Sequence, residues 1–222
     1  MTTVRIVCFD WGGVILRICR SWEQGCRLAG VPIHEQLLVP EQRSRRVALA
    51  EDYQRGELAC GEFYQALADT TDGLLTPEQV RSVHDAWLID EYPGVGSLVD
   101  SLNARTDITT AMLSNTNESH WQRQHDGPGG FPVASRLKIR LASHELGVAK
   151  PDPAIYRVAT ERFGVSPGEI LFFDDLPDNI EAARNSGWQA KHIDHEGDTC
   201  AQMRAHLNST GTLEAGVSGD QL

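Results

Sequence analysis

The sequence predicts an α/β fold: a doubly wound parallel sheet with a helical cap inserted after its first strand. Residues 4–9 form a β-branched, apolar run of the kind a strand shows when both its faces are buried. From about residue 91 onward, short apolar runs alternate with helical patterns, as in a parallel sheet with right-handed crossovers. Between these regions, residues 21–88 contain no convincing strand and read as helices. These observations assign residues 1–16 and 91–207 to a core domain, 17–90 to a helical cap and 208–222 to a mobile C-terminal tail.

The first strand ends at Asp10, followed by Trp11, Gly12 and Gly13. A carboxylate therefore stands in a sharp turn at the carboxyl edge of the sheet, where open α/β folds bind ligands. In the cap, residues 62–68 and 79–88 carry amphipathic patterns. The second opens with Thr76 as N-cap, Pro77 at the first helical position and Gln79 at the third. Residues 94–103 read as a helix, 108–113 as a strand, 117–124 as a short helix and 137–141 as a short strand. A helix over 153–163 starts on Pro153 and stops at Gly164. A strand at 170–173, a helix at 178–186 stopped by Gly187, a strand at 188–193 and a helix at 199–207 complete the alternation. Beyond them the tail has too few large apolar side chains to dock.

With 41% hydrophobic and 23% charged residues, the 222-residue chain can bury one substantial core, or a core with a smaller partner. A formal charge of -11 argues against nucleic acid and anionic membranes as partners. An anionic substrate would need a site that supplies its own positive charge. No apolar stretch approaches the roughly 20 residues that span a bilayer, and the N-terminus lacks a signal-peptide pattern. Five cysteines without a Cys-x-x-Cys spacing are expected to be reduced thiols, so the predicted location is cytoplasmic.

Three downstream segments fit one chemistry with Asp10: Leu113-Ser114-Asn115, Lys150-Pro151-Asp152-Pro153 and Phe172-Phe173-Asp174-Asp175. A carboxylate such as Asp10 can attack phosphorus and form an aspartyl-phosphate. Two anions approach each other only with countercharge. Asp174 and Asp175, at the same sheet edge, offer the hard oxygen ligands that Mg²⁺ prefers. Their other reading is a helix-capping pair, although Asp178 is better placed to start that helix. Lys150, on a loop stiffened by prolines, is suited to orient Asp10 and neutralise a transferring phosphoryl group. Ser114 offers a hydroxyl, and Asn115 a backbone N–H, to phosphate oxygens; a plain strand-end serine is the alternative. Asn179 either steadies the metal loop or is purely structural.

In this order, the four segments resemble the haloacid dehalogenase-like (HAD) superfamily, from Val4 to about Ile193. The position of the helical insertion is similar to that of members with a small four-helix cap. Residues 113–117, 147–151 and 172–179 look closest to the branch of bacterial sugar-1-phosphate phosphatases and the N-terminal phosphatase domain of soluble epoxide hydrolases. The resemblance implies a Rossmann-like core and Mg²⁺-dependent hydrolysis of a small phosphorylated metabolite, with a sugar phosphate favoured. It implies Asp10, Ser114 and Lys150 as catalytic residues, and Ser114, Asn115 and Lys150 as phosphate-binding residues. Asp10, the backbone carbonyl of Gly12 and Asp175 would hold the metal, with Asp174 a second ligand or acting through water.

Gly12 departs from that pattern. The family's first motif usually places a second carboxylate two residues after the nucleophile, to protonate the leaving oxygen and then activate water. Glycine keeps the backbone carbonyl and loses the acid–base group, whose help is worth roughly 10²–10⁴-fold. Phosphatases of the resembled branch tolerate glycine there, which keeps an enzyme the favoured reading. The alternative is a catalytically weakened member that binds a phosphorylated ligand or a protein partner without turnover. A third reading is a metal-independent dehalogenase, against which the Asp174-Asp175 pair argues.

Other patterns read as structure. Gly94-x-Gly96 is a helix start rather than a dinucleotide fingerprint, and His192-x-Asp194-His195-Glu196 is a polar strand end rather than a metal cluster. Arg43-x-Arg45-Arg46 reads as a solvated helix face rather than a phosphate clamp. His120 and Trp121 are candidates to line a substrate pocket, with core packing the alternative for Trp121.

Overall fold

A computed structural model describes residues 3–213. The chain begins with β1 (Ile6–Phe9), β2 (Leu16–Ile18), α1 (Trp22–Ala29), α2 (Pro40–Gln54), α3 (Cys60–Asp69) and α4 (Pro77–Asp85). It continues through β3 (Leu88–Glu91), α5 (Val95–Asn103), β4 (Thr109–Ser114), α6 (Glu118–Trp121), β5 (Ile139–Ala142) and α7 (Ser143–Leu146). It closes with α8 (Pro153–Phe163), β6 (Ile170–Asp174), α9 (Pro177–Asn185), β7 (Gln189–His192) and α10 (Thr199–Ser209). Five strands form a parallel sheet in the order β5-β4-β1-β6-β7, which is the doubly wound α/β class that the alternation predicts.

The central strand explains where the site lies. Ile6 of β1 is in register with Thr109 of β4 on one side and with Ile170 of β6 on the other. The chain leaves β1 to build first one half of the sheet and then the other, which opens a crevice at the carboxyl end of β1. Asp10 follows β1 directly, while Ser114 and Asp174 are the last residues of β4 and β6.

Strand alternation divides the core between two faces. Ile6, Cys8, Leu113 and Phe172 pack with Tyr156 and Ile180 on one face. Val7, Phe9, Met112 and Phe173 pack with Leu98 and Met203 on the other. All four large side chains of the β6 interior, Ile170, Leu171, Phe172 and Phe173, are fully buried, each contributing about 1.5–3 kcal/mol of transfer free energy. Helices α1–α4 share a separate apolar cluster that includes Cys26, Tyr53, Phe63, Leu67 and Val83. Thr76 caps α4: its Oγ1 accepts from Gln79 N at 3.3 Å, and its own N–H donates to Gln79 Oε1 at 2.9 Å.

Two features differ from the sequence expectations. β2 and β3 pair as an antiparallel ribbon, with a register shift between Arg17 and Ile18, where the sequence reading had placed no strand. The helix predicted over 79–88 accordingly stops at Asp85, and Leu88 begins β3. Strands this short carry too few residues for a period-two pattern. At the other end, α10 runs through Ser209, two residues past the expected helix end at 207, and Leu213 packs against the core. The remainder of that tail, residues 214–222, lies outside the described residues.

The helical insertion meets the sheet region through two imidazoles. His84 of α4 and His120 of α6 stack with ring centroids 3.9 Å apart and an interplanar angle of 14°. His120 Nε2 lies 2.9 Å from the His84 carbonyl oxygen, and Asn117 Nδ2 lies 3.3 Å from His84 Nε2. Burial, then the neighbouring His120 and Arg123, hold the His84 pKa well below its ordinary value. Burial lowers that of His120 to about 4, although its bond to the His84 carbonyl works the other way. Both values are depressed on folding, so the unfolded chain takes up protons first as pH falls. The stability from burying neutral rings is complete above about pH 6.5 and drains away below it. Urea midpoints should therefore fall between about pH 7 and about pH 5, and His120→Gln should shrink that fall. The same pH dependence in both proteins would remove the imidazole pair as its source.

Candidate active site

Three consecutive strand ends and one loop converge on Lys150. Its Nζ lies 2.9 Å from Asp10 Oδ1 and donates to Asp174 Oδ2 at 2.7 Å, with all three side chains buried. The loop is held by reciprocal bonds to Asn115: Lys150 N donates to Asn115 Oδ1 and Asn115 Nδ2 donates to Lys150 O, both at 2.8 Å. Asn115 thus aims the ammonium from a strand end, a role that its side chain adds to the backbone N–H singled out in the sequence. Burial alone would pull the Lys150 pKa down, and the carboxylates of Asp10 and Asp174 more than reverse it. Burial raises the Asp10 pKa to about 7; Lys150 opposes the rise, while Asp174 and Asp175 add to it.

Asp174 is saturated with donors. Besides Lys150, it accepts from Leu176 N at 2.8 Å and from Asn179 Nδ2 at 3.0 and 3.1 Å. Asn179 is anchored in turn, its carbonyl accepting from Tyr156 Oη at 2.9 Å. Asp175 carries a different set of partners: Arg20 Nη1 donates to its Oδ2 at 2.8 Å, and His195 Nδ1 lies 3.7 Å from the same oxygen. The loop must pass close here. Gly13 has φ 83°, and a Cβ on it would stand 2.4 Å from the Asp175 carboxylate.

The residues fit a divalent cation. Asp10, Asp174 and Asp175 each offer a carboxylate oxygen, and these oxygens lie within 4.8 Å of one another. Lys150 and Arg20 balance two of the three carboxylates, which leaves the cluster a net anion made of hard donors. The Gly12 carbonyl accepts no hydrogen bond among the described residues; the bonds beside it run through Trp11 O and Gly13 N.

Ser114 is 2% exposed, and its hydroxyl has no hydrogen-bond partner among the described residues. With Gly12 and Asn115 it lines a cavity of about 520 Å³ that extends into the helical insertion. Asp10, 8% exposed, adjoins that wall through Trp11 and Gly12. Gly12 itself has no left-handed φ. A Cβ there would meet Ile18 Cδ1 at 2.9 Å, so Ile18 of β2 fills the space beside it.

Sequence reasoning missed Arg20, His84 and Ile18, whose roles arise from partners far along the chain and leave no local pattern. His120 lines the cavity, while Trp121 packs partly buried against the core, edge-on to Trp11. The residues His192 to Glu196 form no metal-ligand cluster among the described residues; His192 Nε2 instead lies 3.0 Å from the Asp175 carbonyl. Gly94 is the N-cap of α5, with φ 80°.

A family model described as haloacid dehalogenase-like hydrolase matches residues 4–187. A phosphatase of Mycobacterium tuberculosis is 41% identical over 81 residues, which are 36% of this chain and 37% of that protein. The phosphoserine phosphatase of Thermus thermophilus is 28% identical over 124 residues, 53% of this chain and 48% of that enzyme. The matches thus span less than half the length of these relatives. Among solved structures, a HAD family enzyme from Bacteroides thetaiotaomicron superposes with a TM-score of 0.77 at 22% identity, covering 91% of this chain and 100% of that one. A complex of that enzyme with magnesium and inorganic phosphate has a TM-score of 0.71 at 22% identity, covering 88% and 96%. At such identities the likeness speaks to the fold. The family match, by contrast, spans most of the chain and every residue gathered around Lys150, and the chain belongs to the haloacid dehalogenase-like hydrolases.

Proposed function

We propose that the chain is a Mg²⁺-dependent phosphomonoester hydrolase acting on a small phosphorylated metabolite, with a sugar phosphate favoured and Asp10 as nucleophile. The observation that carries this reading is the buried chain Asp10–Lys150–Asp174 beside Asp175. It joins a nucleophile, a fixed cation and hard oxygen donors at one sheet edge. The phosphatases of M. tuberculosis and T. thermophilus, and the magnesium and phosphate complex of the Bacteroides enzyme, support it. Asp10, Asp175 and the Gly12 carbonyl would hold Mg²⁺, with Asp174 behind them. The bound ion supplies the positive charge that lets a phosphate approach a carboxylate.

The protein's own groups divide the remaining work. Asp10 Oδ1 already accepts from Trp11 N at 2.7 Å and faces Lys150 Nζ at 2.9 Å, which leaves Oδ2 to attack phosphorus. The bond to the leaving oxygen breaks as the Asp10–phosphorus bond forms. Lys150 favours the ionised form of Asp10 and neutralises charge on the phosphoryl oxygens, while Ser114 Oγ and the Asn115 N–H hold them in place. Water then attacks phosphorus, releasing inorganic phosphate and restoring the carboxylate. Because Ile18 occupies the space beside Gly12, the leaving oxygen departs with little proton assistance. The same observation sustains a second reading, in which the protein binds a phosphorylated ligand and does not turn it over.

Hydrolysis of p-nitrophenyl phosphate separates the two readings. Turnover should require Mg²⁺, disappear with excess chelator and fall below a few per cent in Asp10→Asn. Full activity in chelator, or in that variant, would contradict the mechanism. Saturable binding of phosphorylated metabolites with no turnover of any would establish the second reading.

Leaving-group dependence tests Gly12. Aryl phosphates, whose leaving oxygen is stable as an anion, should outpace alkyl phosphates by up to roughly the 10²–10⁴-fold that general acid catalysis contributes. Gly12→Asp with Ile18→Val, which clears the Cδ1 atom 2.9 Å from the new Cβ, should raise kcat/KM for alkyl phosphates more than for aryl ones. Equal handling of both classes by both proteins would mean that another residue supplies the proton.

A further inference from the structure

The cavity beside the sheet edge carries positive charge that phosphoryl transfer does not use. Arg43 and Arg46, three residues apart on one face of α2, both line it; Arg43 is exposed, as the solvated-face reading expects, and Arg46 is partly buried. Glu23 is the one carboxylate among the residues lining that cavity. Arg43 has no hydrogen-bond or ion-pair partner for its side chain among the described residues. Arg46 donates from Nη1 to the Leu37 carbonyl at 2.7 Å and stacks over the Trp22 ring at 5.1 Å. These two contacts fix the guanidinium and leave several of its N–H donors unpaired. Arg20, the third arginine of the wall, is committed to Asp175.

For the partly buried Arg46 this arrangement is costly in the free protein. Burial works most against the charge on Arg46, Cys26 and Glu23 compensate in part, and the nearby Arg43 adds a smaller opposing effect. In a chain of net charge -11, carboxylates were available to pair with both arginines. An anionic ligand would relieve the repulsion and use the idle donors through charge-assisted, bidentate bonds. The wall also presents Trp22, Val47, Trp87 and Leu88, which suit an apolar face.

We propose that the α2 side of this cavity is an anion subsite. It would select a phosphomonoester that bears a second anionic group, a carboxylate or another phosphate. That group is carried on a body with an apolar face, such as an aryl ring or the C–H face of a sugar. The assignment of the phosphoryl group to the Asp10 end rests on the hydrolase reading above. The subsite narrows that reading, because a neutral sugar phosphate leaves Arg43 and Arg46 unanswered.

The test compares three probes of similar shape: p-tolyl phosphate, 4-carboxyphenyl phosphate and 1,4-phenylene bisphosphate. Their affinities for the full-length Asp10→Asn protein with Mg²⁺ are measured by calorimetry, so that binding is read without turnover. The probes with a second anion should bind at least about tenfold more tightly than the tolyl ester, the scale of one charge-assisted contact. Whichever of the two binds more tightly identifies the second anion as carboxylate or phosphate. Arg43→Gln and Arg46→Gln should each collapse the ratio. Arg45→Gln, exposed on the same helix, should keep it. Equal affinity for all three probes, or a preference that survives both Arg43→Gln and Arg46→Gln, would overturn the subsite. Wild-type turnover of the same probes separates the two claims. A preference without hydrolysis removes the hydrolase reading and keeps the subsite; hydrolysis of all three with no preference does the reverse.

Discussion

The Lys150 ammonium, buried between Asp10 and Asp174, is the interaction on which the rest of this site depends. Taking such charges out of water is expensive, and leaving a buried carboxylate unpaired typically costs about 3–5 kcal/mol. The fold holds the arrangement from several directions. Parallel registry sets Asp10 and Asp174 at neighbouring strand ends, Asn115 clamps the lysine's own backbone, and Asn179 closes the remaining acceptors of Asp174. The sheet order places these groups over the strand where the topology reverses, so the position of the chemistry follows from the winding of the chain.

What the site lacks is as consequential as what it holds. Ile18 places an aliphatic side chain beside Gly12, where the proposed hydrolysis would otherwise call for a proton donor. Under the proposed hydrolysis the demand falls on the substrate, whose leaving group must tolerate charge. β2, which carries Ile18, and the following Arg20 also begin the passage into the helical insertion. The ribbon, the contact to Asp175 and the cavity wall are therefore parts of one local structure. The arginines of α2 then give the cavity a second electrostatic preference at some remove from the first.

The fold class was legible in the sequence because the three central strands, β4, β1 and β6, are largely buried on both faces and rich in apolar residues. Asp10, Ser114 and Asp174 were legible for the same reason, since each terminates such a run. Lys150 stood out through its prolines. Arg20 did not, because its partner lies 155 residues away and an isolated arginine in a loop carries no pattern. The stacking of His84 on His120 joins two helices with no sequence relation, and the β2–β3 ribbon is too short for alternation to register. Arg43 and Arg46 look like a solvent-facing pair on a helical wheel; Arg43 is indeed exposed, and only the packing of α2 shows that both also line the cavity.

Phosphoryl transfer through an acyl phosphate on Asp10, as proposed, leaves an intermediate open to chemical trapping. The enzyme is quenched in acid during steady turnover and treated with borohydride, which reduces an acyl phosphate to the alcohol and converts an aspartyl residue to homoserine. Peptide mass spectrometry then locates the reduced residue. Homoserine is expected at position 10, dependent on substrate and absent when substrate is withheld. Continued hydrolysis with no reduction at that position, or reduction at Asp174 or Asp175 instead, would contradict it.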